Sequence, residues 1–73
     1  MFESSEDIIM LIAKKVKEIR RIKKISQNDL ASKSGVSFGS IKRFECSGEI
    51  SLNSLIKILI SLNLIDEIRS LII

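Results

Sequence analysis

Apolar residues recur three and four positions apart along almost the whole chain, and nowhere in sustained alternation. That spacing marks one face of a helix, not of a strand. Ile8, Ile9, Ile12, Val16 and Ile19 form the inward stripe of a first helix. It starts near Ser4 or Ser5, where a hydroxyl caps free N–H groups and Glu6 and Asp7 suit the positive dipole end, and it fades around Lys24. Ser26 caps a second helix, with Asp29 placed to complete a capping box, and Leu30 and Ala31 share one face before Ser34–Gly35 ends it. Ser37 caps a third helix running to about Cys46, whose inward face is Val36, Ile41 and Phe44. Ser47–Gly48 breaks the chain. Ser51 then caps a fourth helix with Leu52, Leu55, Ile56, Leu59 and Leu62 inward, and Asn63 is its stop. A last helix from Ile65 to about Leu71 opens on Asp66 and Glu67 and lines up Ile68, Leu71 and Ile72. The pattern predicts an all-α fold, a compact five-helix bundle, with residues 1–73 forming one domain.

Composition agrees with continuous helices. There is no Pro and only three Gly among 73 residues, and hydrophobic residues make up 45% of the chain. So short a chain needs either a dense apolar core or an oligomer interface. No charge-free run exceeds eight residues, so no membrane span is expected. The acidic start before the first apolar run does not suit a secretory signal, and a single cysteine excludes an internal disulfide and fits a reducing cytoplasm.

The charge is unevenly placed. From Lys14 to Arg43 there are ten basic and two acidic residues, a net of +8, whereas the remainder is net −5. A basic block flanked by acidic ends is the footprint of a face that meets a polyanion, although lysines such as Lys14, Lys15 and Lys17 are equally common on any solvated helix. Catalysis is not expected. The chain has no His, the usual neutral-pH base and metal ligand, and no cluster of ligands at zinc spacing. Cys46 has no His to activate it and lies near a helix C-terminus, so it reads as a small buried or half-buried hydrophobe. No cofactor, metal ligand or catalytic residue is assigned.

The segment Ser26–Glu45, SQNDLASKSGVSFGSIKRFE, carries the most information. It reads as two short helices about a tight turn, with Gly35 supplying the reversal and polar residues filling the outward positions of the second helix. Such a hairpin, spanning about residues 26–46, can present its second helix to a DNA major groove. A recognition helix reads bases with its first turns, which puts Ser37, Phe38, Gly39, Ser40 and Arg43 toward base edges and Lys42 toward the backbone. The planar fork of Arg43 can bond guanine O6 and N7 together, or a phosphate. Phe38 either packs inward or meets a thymine methyl group. Gly39 weakens a helix by roughly 1 kcal/mol relative to Ala, which points to a close backbone approach. Gln27, Asn28, Ser51 and Asn53 stand at helix N-termini able to meet phosphates, and both serines also suit helix caps.

The series Ser-Gln, Leu-Ala, Gly-Val, Ile, Glu at this spacing resembles the Cro/cI-type helix-turn-helix family of bacterial and phage repressors. KVKEIRRIKKIS upstream resembles the family's first helix. The downstream RFECSGEISLNSLIKILISLNLIDEI resembles a subset that includes stand-alone regulators and HipB-like antitoxins. The resemblance covers roughly residues 8–68. It implies a phosphate contact for Gln27, and a partly buried ion pair between Arg20 and Glu45 whose guanidinium also leans toward a phosphate. It further implies a DNA-binding regulator, a repressor acting as a homodimer on double-stranded DNA with a palindromic operator, and no membrane partner. Leu64, Ile65, Ile68, Leu71 and Ile72, in the C-terminal stretch 64–73, complete the core, form a dimer surface or dock a toxin protein. The alternatives are a toxin-binding antitoxin that regulates its own operon and an interaction module without DNA binding.

Overall fold

Serine hydroxyls start four of the five helices. A computed structural model describes residues 4–73 and divides them into α1 (Ser5–Ile22), α2 (Gln27–Ser34), α3 (Phe38–Ser47), α4 (Leu52–Ser61) and α5 (Ile65–Ile72). Ser4 accepts from the Asp7 N–H, Ser37 from the Ser40 N–H and Ser51 from the Ser54 N–H. Ser26 accepts from the Asp29 N–H while the Asp29 carboxylate accepts from the Ser26 N–H, a complete capping box. Only α5 starts without a side-chain cap.

Residues able to enter the left-handed region set three of the ends. Gly35 (φ 76°) ends α2, Gly48 (φ 82°) ends α3, and Asn63 (φ 61°) turns the chain after α4. Lys24 (φ 58°) does the same after α1, which ends at Ile22 with Lys23 as its cap, close to the expected fade around Lys24. The last turn of α3 extends to Ser47, and α5 to Ile72. These shifts of a residue or so leave the expected element order unchanged.

The core is a cluster of Ala13, Val16, Leu30, Val36, Ile41, Phe44, Ile58, Leu59 and Leu62. α3 sits between α1 and α2, α2 also packs on α4, and α4 carries α5. Leu64 and Ile68 pack on this core, so part of the apolar C-terminal surface belongs to the monomer. Ile65 is half-buried, while Leu71, Ile72 and Ile73 lie open to solvent.

Two expected faces are corrected. In α1 the buried side chains are Ala13, Val16 and Arg20, with Ile19 half-buried, whereas Ile8, Ile9 and Ile12 are 40–42% exposed. α1 is 18 residues, about 27 Å at 1.5 Å per residue, and its first turns lie at the edge of the core. In α4, Leu52 is 74% exposed and Ile58 is fully buried in its place, next to Leu59. Leu55 and Ile56 are half-buried, as a helix apolar on most sides allows.

The two left-handed glycines are constrained differently. A Cβ at Gly35 would meet nothing within 4 Å, but one at Gly48 would collide with Ile9 Cγ2. Gly35→Ala therefore costs the left-handed strain alone, about 1–2 kcal/mol. Gly48→Ala adds displacement of Ile9 to the same strain and loses more. Urea unfolding of the two variants measures the difference, and equal losses would contradict the α1–α3 contact at Gly48.

Candidate nucleic-acid interface

The inner end of the hairpin is fixed by a buried ion pair. Arg20 Nε donates to Glu45 Oε2 at 2.7 Å and an Nη2 hydrogen goes to Glu45 Oε1 at 3.0 Å, the parallel two-bond geometry of guanidinium on carboxylate. Arg20 Nη1 donates to the Ile25 carbonyl at 2.6 Å, which ties down the turn between α1 and α2. Gln27 Nε2 donates to Glu45 Oε1 at 2.9 Å. One carboxylate on α3 thus accepts from both α1 and α2. The side chains are 10% (Arg20) and 3% (Glu45) exposed, and among the described residues no buried side-chain polar atom lacks a partner.

This arrangement fixes two of the expected site residues. Each of the three guanidinium nitrogens of Arg20 donates one hydrogen inside the protein, so its head is anchored at the core edge. The amide nitrogen of Gln27 is held by Glu45, which fixes that side chain at the first turn of α2. The second hydrogen of that amide and the free backbone N–H groups of the helix start are the donors that remain at this place. Asn28 is exposed at the next position.

The opposite side of α3 is open. Val36, Ile41 and Phe44 are buried, while Phe38, Gly39, Lys42 and Arg43 are exposed. Phe38 is 42% exposed in the first turn, so it is not a core residue. A Cβ at Gly39 would meet nothing within 4 Å, so packing inside the protein does not require glycine there. Lys42 and Arg43 make no ion pair among the described residues. Ser37 Oγ donates to Ser40 Oγ at 2.9 Å as well as capping the helix, so the two hydroxyls are engaged with one another.

A cleft of about 320 Å³ separates α3 from the start of α4 and is lined by Ser40, Arg43, Glu49, Ile50, Ser51 and Ser54. It brings Arg43 beside the α4 N-terminus, joining two of the expected contact regions. Ser51 is the cap there, and Asn53 is exposed within the first turn. Ser54 is half-buried and was not evident from sequence, since its spacing from Ser51 reads only as a capped turn. Glu49 sets a carboxylate in the same cleft, so the surface is cationic on α3 and mixed in charge at the α3–α4 turn. Cys46 is exposed one turn beyond Lys42 and Arg43, not buried or half-buried as expected, because Phe44 and Glu45 take the inward positions.

Truncating one partner of the buried pair leaves the other charge unsolvated, which costs more than the intact pair contributes. Glu45→Ala is expected to lose about 3–5 kcal/mol in urea unfolding. Replacing both Arg20 and Glu45 with Met is expected to recover most of that loss. A Glu45→Ala protein as stable as the parent would contradict the role of the pair.

Comparison with known proteins adds one match. A family model described as Helix-turn-helix matches residues 16–67, well over half of the chain, from the second half of α1 into α5. Neither a curated protein nor a solved structure matches. The paired α2 and α3, the capped turn with its left-handed glycine, and the open outer face of α3 lie inside the matched range: the chain belongs to the Cro/cI-type helix-turn-helix family of DNA-binding regulators.

Proposed function

We propose that the chain is a sequence-specific transcriptional repressor that acts as a dimer, blocking a palindromic operator with one recognition helix in each half-site. The observation that carries this reading is the outer face of α3. Phe38, Gly39, Lys42 and Arg43 are exposed together while the inner face is locked by Phe44, Ile41 and the Arg20–Glu45 pair. Arg43 reads a guanine through its two-bond fork, and Phe38 lies against a thymine methyl group. Gly39 lets the start of the helix come close to the groove. Ser37 and Ser40 contribute as a pair of hydroxyls, Lys42 meets a phosphate, and the N-terminal turns of α2 and α4, with Gln27, Asn28, Ser51 and Asn53, position the domain on the backbone. A two-fold dimer on B-DNA sets its two recognition helices about 34 Å apart, one turn of the duplex.

Selection of bound oligonucleotides from a random pool tests the reading. The expected product is a two-fold symmetric consensus whose half-sites are centred about one turn apart. Arg43→Ala is expected to cost about 1–3 kcal/mol of discrimination at one base pair and to leave stability unchanged. Enrichment of no consensus would contradict sequence-specific binding. On mixed DNA, log K should fall by about 0.9 per log unit of salt for each phosphate neutralised, and a flat response would favour a protein-interaction module.

Gly39 gives a test in which two quantities move in opposite directions. Gly39→Ala should stabilise the fold by up to about 1 kcal/mol, since the new methyl group is unobstructed in the free protein. It should also weaken binding to the selected site. Unfolding and titration of the same preparation check this, and unchanged affinity would place the groove elsewhere.

A further inference from the structure

The helix-turn-helix match begins at residue 16, so the first three turns of α1 are a feature of this chain outside the matched range. Ile8, Ile9, Met10, Leu11 and Ile12 are consecutive and each 40–43% exposed. A stretch apolar on every side is buried in a finished assembly. Part of its surface has a use within the monomer: Ile9 and Ile12 line a groove with Phe44, Gly48, Ile50 and Leu55. At 100° per residue, the side of α1 facing away from the buried Ala13, Val16 and Arg20 carries Asp7, Ile8, Leu11, Lys14, Lys15 and Glu18, all exposed, with Lys15 Nζ 3.7 Å from Glu18 Oε1. Ile8 and Leu11 are the apolar side chains at the centre of this side, with Met10 and Ile12 at its edges.

The order of charges decides what covers it. Glu6 and Asp7 precede the apolar run, and Lys14 and Lys15 follow it after Ala13. The segment is therefore antisymmetric in charge about its middle, which lies between Met10 and Leu11. A second copy laid antiparallel across Leu11 brings each acidic end onto a basic end, with the apolar runs between them. A parallel copy would put acid on acid and base on base. Self-complementarity under a two-fold rotation is what an isologous dimer interface requires. We infer that the front half of α1 is an antiparallel homodimer contact, Leu11 against the partner subunit's Leu11 and Asp7 facing the partner's Lys14. This names the surface for the dimer of the proposed repressor and rests on that part of the reading. The exposed residues Leu71 to Ile73 at the end of α5 follow Asp66, Glu67 and Arg69, so their charges are not laid out on either side of an apolar middle.

Sedimentation equilibrium of the full chain without DNA tests the surface separately from DNA binding. The wild-type protein is expected to form a dimer at micromolar concentration. Leu11→Asp, which sets two carboxylates against each other at the axis, is expected to raise the dimer dissociation constant at least about tenfold. Leu71→Asp is expected to leave it unchanged. Asp7→Lys should weaken the dimer, and adding Lys14→Asp should restore it, since the facing pair is then reversed and matches again. Far-UV circular dichroism verifies that each variant stays helical. A monomeric wild type, a dimer insensitive to Leu11→Asp, loss of the dimer in Leu71→Asp, or failure of the charge reversal to restore it would overturn the assignment. A monomer that still binds DNA refutes the surface alone, whereas a Leu11-dependent dimer supports it even if no DNA is bound.

Discussion

Glu45 is the point on which the geometry of this small protein turns. One carboxylate at the inner end of α3 receives two hydrogens from Arg20 on α1 and one from Gln27 on α2. Arg20 in turn holds the Ile25 carbonyl between those helices. Buried apolar contacts are non-directional and tolerate rotation of a helix about its axis, whereas a two-bond guanidinium–carboxylate pair does not. The pair thus sets which side of α3 faces inward. The cost of burying both charges is offset only because every polar atom of the pair is engaged.

From that constraint the outer face follows. With Glu45, Phe44 and Ile41 committed inward, helical geometry leaves Gly39, Lys42, Arg43 and Cys46 on the other side, and Phe38 in the exposed first turn. The rigid back of α3 is what makes a readable front possible, since groove contacts gain specificity only when their donors are held in place. The α3–α4 cleft extends the same surface to a second capped helix start, and Glu49 within it limits the cationic character there.

Local chemistry was the legible part of the fold. Ser4, Ser26, Ser37 and Ser51 are caps because a hydroxyl next to free N–H groups acts within three residues, and Gly35, Gly48 and Asn63 enter the left-handed region with little or no steric cost. Lys24 enters that region without any side-chain signature, so the end of α1 was legible only to within about two residues. Which arc of an apolar helix is buried was less legible, because neighbours decide it. α4 is apolar on most sides, and contact with α2 and α5 selects Ile58 over Leu52. In α1 the periodicity of Ile8, Ile9 and Ile12 is real, but those turns lie at the edge of the core. On the candidate interface, the outward set of α3 was readable from spacing. The Arg20–Glu45 pair was legible through the family resemblance, whereas the capture of Gln27 by Glu45 was not, since it depends on how closely three helix ends meet.

Backbone amide chemical shifts of the labelled protein, followed as duplex DNA carrying the bound sequence is added, test the central claim most directly. The account predicts the largest changes at Gln27 and Asn28, across Phe38 to Arg43, and at Ser51 to Ser54, with Ile58 and Leu62 nearly unmoved. Shifts confined to the front of α1 or the end of α5, or absent from Phe38 to Arg43, would contradict it.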